Sequence, residues 1–366
     1  MLIDARVALY DVKRCGYYAG RRTSPDFAGL ADTLASLRAW VSGTTPLVIR
    51  DTQTFEPDDG ETEQMPVFCY SITESAPAGE YLLVTWNQTE LANDAFGAIS
   101  ADGAVGAATI QRNNVGANMI PGFPSYFWFL PQQNLVVTVV LSGRSNGHRG
   151  MNQYMRGYLE RRAGWVANGE SGTDVVGYRE GTDDPDSELA PSFSSYLIKN
   201  AGPIDEIRQN RTSIRRVVRR DTFYPNGEHP EVRTTLLQRL LWWEAEQPPV
   251  APERMEFALQ YTPTSEQLER LIAQWEATEG SSVQWDDVGF DLRGGKTLWL
   301  SKSRARGQLQ LELQEKNGTG GIVYDETVLL SQLAAHRNDV LALFQRARER
   351  RRPSRRAAAP IPPTGE

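Results

Sequence analysis

The segment 125–142 constrains this chain more than any other. Ser125 to Leu130 is largely aromatic and Leu135 to Ser142 largely β-branched, and Pro131-Gln132-Gln133-Asn134 separates them. Proline fixes its own φ and asparagine tolerates a left-handed backbone, so the four residues turn the chain and the two runs pair as an antiparallel hairpin. Further strand-like runs recur at 46–50, 65–73, Glu80–Asn87, Phe193–Ile198, Met255–Tyr261, Leu298–Ser301, Leu309–Gln314 and Ile322–Tyr324, with Asn317-Gly318 as a hairpin turn before the last. Regular strand–helix–strand crossovers are missing. The pattern predicts an α+β fold, mostly antiparallel sheets with flanking helices, in two domains.

Helical spacing marks the other elements. Pro25 opens a run with Phe27, Leu30, Leu34, Leu37 and Val41 at intervals of three and four. Met151 to Ala163 and Val328 to Arg348 read as helices. Thr264-Ser265-Glu266-Gln267 is a capping box before Leu268, Leu271, Ile272 and Trp275. Leu236 to Glu246, with Trp242-Trp243, is apolar and ends at Pro248-Pro249. Residues 97–122, rich in Gly, Ala and Asn, read as a loop. Residues 1–166 are expected to form an N-terminal α+β domain, 167–191 an acidic linker or loop, 192–345 a C-terminal α+β domain, and 346–366 a disordered Arg/Pro-rich tail.

Two cysteines, Cys15 and Cys69, cannot staple 366 residues and read as reduced thiols. The longest apolar run, Leu135 to Leu141, is far short of the ~20 residues that span a bilayer. No basic segment followed by an apolar stretch opens the chain, so a cytoplasmic protein is expected.

Charge is unevenly placed. The formal net charge is −7, yet Ile207 to Arg220 holds six arginines and no acid, and Arg346 to Arg356 holds seven arginines against Glu349 alone. An acidic body with two basic segments points to a localised polyanion contact. Pro203, followed by Asp205 and Glu206, opens a helix in this reading. On that helix Arg208, Arg211, Arg215 and Arg219 share one face, Arg216 and Arg220 widen it, and Ile207, Ile214 and Val218 turn inward. Six guanidiniums on one flank fit a phosphate backbone and would bind it without reading bases. The same flank could instead stay solvated or pair with acids of this chain or of a protein partner.

Signals for chemistry are sparse, and no catalytic residue, metal or cofactor is expected. His148, His229 and His336 lack companions at ligand spacing. Gly294-Gly295-Lys296-Thr297 ends like a phosphate loop but lacks its earlier glycine, and reads as a turn. Asp291 with Gln314-Glu315-Lys316 faintly resembles the carboxylate-and-lysine set of metal-dependent nucleases, which keeps a nuclease as the rival reading. Tyr126-Phe127-Trp128-Phe129 reads as core, with base stacking by one side of the strand as its rival.

Several segments resemble the RexA-like exclusion proteins of phage: Tyr17-Tyr18-Ala19, Phe123-Pro124-Ser125-Tyr126-Phe127-Trp128-Phe129, Arg208 to Phe223, and Leu311 to Leu329 followed by Asp339-Val340-Leu341. The layout is also similar to the DNA-binding subunit of the Kiwa defence system. The resemblance implies a prophage-type, cytoplasmic anti-phage protein of superinfection exclusion or abortive infection. Such a protein binds DNA with little sequence preference, dimerises and acts with a membrane effector. It carries over Arg208, Arg211, Arg215, Arg216, Arg219 and Arg220 as DNA contacts and supplies no catalytic residues.

Overall fold

The computed structural model describes residues 1–56, 65–76, 78–89, 97–112, 116, 118–141, 147–170, 172, 174–182, 184–198, 201–223, 253–277, 287–300 and 306–351. The α+β class holds: helices flank antiparallel sheets.

The larger sheet is built on one long strand, β1 (Leu2–Ala19). Its middle pairs with β7 (Leu135–Val140) on one side. Its other side is shared end to end by β15 (Arg306–Glu312), opposite residues 2–8, and β10 (Leu189–Leu197), opposite residues 10–19. Beyond β7 come β6 (Met119–Leu130), β3 (Glu80–Gln88) and β2 (Val67–Ser75). The expected hairpin is the β6–β7 pair, and Asn134 adopts the left-handed backbone at φ 49° that closes its turn. Tyr126, Phe127, Trp128 and Phe129 are all buried. Both faces of that strand are therefore core, and the stacking surface is not there.

Helices cover the sheet. α1 (Leu30–Val41) buries Leu30, Leu34, Leu37 and Val41, and α2 (His148–Arg161) buries Met151, Tyr154, Met155, Tyr158 and Leu159. The expected helix at 328–348 is two helices, broken at His336. Residues 46–50, expected as a strand, lead instead into a 3-10 turn at Ile49–Thr52. Residues 97–122 are not a plain loop. They hold β4 (Gly97–Ser100), β5 (Ile110–Gln111) and the start of β6.

A second, smaller sheet runs in the order β12 (Glu253–Gln260), β11 (Ile214–Phe223), β13 (Asp287–Leu292), β14 (Thr297–Trp299). α3 (Ala201–Gln209) and α4 (Ser265–Ala277) pack on one face. Ile204, Ile207, Leu268, Ile272 and Trp275 meet Ile214, Val288, Phe290 and Leu298 in a core of their own. The capping box is realised: Gln267 N donates to Thr264 Oγ1 at 3.3 Å and Thr264 N to Gln267 Oε1 at 2.8 Å.

The division of the chain differs from the one expected. The main core gathers residues from 5 to 198 and again from 309 to 344, while the second core lies wholly within 204–300. Residues 167–191 carry strands β8 (Val166–Asn168) and β9 (Val175–Tyr178) and the start of β10, and all belong to the first unit. Helices α5 (Glu326–Ala335) and α6 (Arg337–Arg351) return to it, and α6 runs into the expected tail. The apolar segment 236–246, His229 and residues 352–366 lie outside the described residues.

Candidate nucleic-acid interface

The basic helix expected from Pro203 to Thr222 does not exist as one element. α3 ends at Gln209, a 3-10 turn spans Arg211–Ser213, and Ile214 begins β11. Ile214, Val217, Val218 and Thr222 are β-branched, which suits a strand between two partners. In this setting the spacing that looked helical is read with a period of two. Arg216, Val218 and Arg220 occupy one side of the sheet, and Val217 and Arg219 the other, toward the helices. Arg215 is the extra residue of a bulge between the Ile214–Leu292 and Arg216–Asp291 pairs.

Each predicted contact residue then has its own surroundings. Arg208, on α3, bridges to α4 through two 2.8 Å bonds to Glu269, and makes a longer one to Asp205 on its own helix. Hydrogen bonding to Arg208 holds the Glu269 carboxyl below its ordinary value. Arg216 binds Asp291 through Nε at 2.8 Å. The 2.6 Å bond from Thr297, followed by the bonds from Arg216, lowers the Asp291 carboxyl. Arg220 pairs with Glu256 at 2.9 Å and lies 3.7 Å over the Trp299 ring. Arg219 is half-buried on the helix side. Arg208, Arg216 and Arg220 are thus neutralised within the chain, and the six arginines do not share a flank.

What the fold does assemble is a basic end to the second sheet. Arg211 donates to Pro263 O at 3.1 Å. Arg215 is exposed, forms no ion pair with a described carboxylate, and adds its charge to the field on Asp291. The turn between β13 and β14 abuts them, because Arg293 N donates to Ser213 O at 2.8 Å. Arg293 is exposed and also unpaired among the described residues, whereas Lys296 pairs with Glu206. Between them Gly294 and Gly295 leave their backbone open, Gly295 at φ +80°. Among the described residues, the carboxylates that pair with Arg211, Arg215, Arg216, Arg293 and Lys296 are Glu206 and Asp291. Arg293 and Lys296 had one signal in the sequence, the Gly-Gly-Lys turn.

The nuclease set is not brought together. Asp291 lies in the second sheet, bound to Arg216 and Thr297. Lys316 lies in the first unit with both ammonium bonds, 2.7 and 2.8 Å, on Glu326. Among the described residues no three His, Cys, Asp or Glu side chains gather to hold a metal ion. His148 is part of the first core's edge, and His336 meets Asp339. No helix among the described residues is long and apolar enough to cross a membrane. Comparison with family models, curated proteins and solved structures finds no match to the chain.

Proposed function

We propose that this protein binds a nucleic-acid backbone, with little sequence preference, through the basic end of its second sheet. The observation that carries this reading is the juxtaposition of Arg215 with the Arg293–Lys296 turn, two exposed guanidiniums, unpaired among the described residues, beside an open Gly-Gly backbone. Guanidiniums offer planar donor forks to phosphate oxygens, and an uncovered turn lets a phosphate approach the main chain. Arg216 and Lys296, each held by a carboxylate, enlarge the field, and half-buried Arg211, with one donor on Pro263 O, adds its uncompensated charge, so the interface is small. It positions the protein and reads no bases.

A gel-shift salt series on the full chain tests this. Arg215→Ala/Arg293→Ala should weaken binding to a DNA duplex and flatten the log–log salt slope by about two, since each phosphate neutralised by the protein accounts for roughly 0.9 of that slope. Arg208→Ala/Arg220→Ala, which removes arginines already held by carboxylates, should leave the slope nearly unchanged. Equal weakening in both variants, or association that ignores DNA in light scattering, would favour an acidic protein partner instead. The segmental resemblance supplies a setting, anti-phage exclusion, and a phage plating assay with the same two variants tests it.

A further inference from the structure

A polar hollow of about 320 Å³ opens in the first unit, between the 3-10 turn at Ile49–Thr52, the chain just after it, and the C-terminus of α2. Arg50, Arg161 and Arg162 line it together with Asp51, Glu56 and Phe55. Its walls are fixed from behind. Thr52 Oγ1 accepts from Cys69 N at 2.8 Å and donates to Ile49 O at 2.7 Å. Thr54 Oγ1 donates to Tyr154 O at 2.8 Å, and α2 comes so close at Gly157 that a β-carbon there would sit 2.6 Å from Thr54 O. The lining residues are thus carried on backbone that cannot easily shift.

The charges of the hollow divide into two kinds. Arg50 is engaged by Asp102, which stands outside the lining. Arg161 and Arg162 are exposed and form no ion pair with a described carboxylate, so they keep two donor forks for an anion. Asp51 and Glu56 are exposed acceptors on the opposing segment, suited to hydroxyl or amino donors. Phe55 supplies the apolar part of the wall. An anionic end, a donor-rich end and a short apolar stretch describe a phosphorylated nucleoside, and the volume lies at the small end of the ~300–1,000 Å³ typical of ligand sites.

We propose that this hollow binds a mononucleotide, its phosphate on Arg161 and Arg162 and its sugar or base donors on Asp51 and Glu56. The site lies in a different unit from the basic end of the second sheet, so the two readings stand or fall separately.

Titration calorimetry on the full chain with AMP, GMP, CMP and UMP tests it, with adenosine and inorganic phosphate as comparison arms. The expected result is saturable one-to-one binding of at least one mononucleotide. Adenosine and phosphate should each bind weaker by more than about tenfold, because each lacks half of the interactions. Arg161→Gln and Arg162→Gln should each weaken the mononucleotide by a similar factor with the melting temperature unchanged, and Arg215→Ala/Arg293→Ala should leave it intact. No saturable binding by any of the four, phosphate alone binding as well as the mononucleotide, or full binding by both glutamine variants would overturn the proposal.

Discussion

His148 stacks on Tyr10 with ring centroids 3.7 Å apart and holds Ser195 Oγ at 2.9 Å from Nε2. Ser195 Oγ in turn donates to Asn152 Oδ1, and Asn152 Nδ2 lies 3.0 Å from the same ring nitrogen, so the imidazole sits in a closed polar cluster. Burial lowers its pKa from 6.5 to about 4. Below pH 6.5 the unfolded chain takes up a proton that the folded chain refuses. Stability is therefore full above that pH, declines as pH falls toward 4, and levels off below. The window contributes roughly 2–3 kcal/mol between pH 7.5 and 4.5. Urea denaturation across that range should show the decline in the wild type and a clearly smaller one in His148→Gln. Cys15 and Cys69 are buried with thiols pushed up to about 12, so iodoacetamide at pH 8 should modify neither until the chain unfolds. Gly16 sits at φ +116°, where a β-carbon would lie 2.5 Å from Phe27 O. Gly16→Ala should destabilise by more than about 2 kcal/mol, read from the same denaturation curves.

Among the elements, the clearest local grammar was realised. The capping box at Thr264 and the Pro-Gln-Gln-Asn turn both form, because each rests on interactions within four residues of sequence. Thr264→Ala should cost about 1 kcal/mol of stability, since the first-turn donor of α4 loses its acceptor. The 207–220 segment shows why the remainder was illegible. Arg208, Arg211, Arg215 and Arg219 repeat at three and four, but Arg216, Val218 and Arg220 equally repeat at two. The choice falls to β12 and β13, which β11 meets only across tens of residues. Chemical shifts for residues 214–220 should be those of an extended strand, with slow amide exchange where both neighbours pair. The same long-range pairing decided the site. Nothing in the sequence places Arg293 beside Ser213, or sets Asp291, Glu256 and Glu269 against the arginines that seemed free.

At the scale of the molecule, the second unit is an insertion in the first. Its core, from Ile204 to Leu300, shares no buried residue with the main one. Phe290 is fully buried at its centre. Phe290→Ala should cost about 3–5 kcal/mol within that unit, and hydrogen exchange should speed up in α3, α4, β11, β12 and β13 while the amides of β3, β6 and β7 keep their protection. The boundary expected near 167–191 does not coincide with the split between the two buried cores: low apolar periodicity there marks a surface stretch that carries β8, β9 and the start of β10. β1 has a consequence for how the protein is made. Residues 2–8 of β1 have one edge without its strand partner until residues 306–312 emerge, nearly three hundred residues later. Throughout synthesis that edge must be shielded from other nascent chains, and any product that stops short of β15 leaves it open to aggregation.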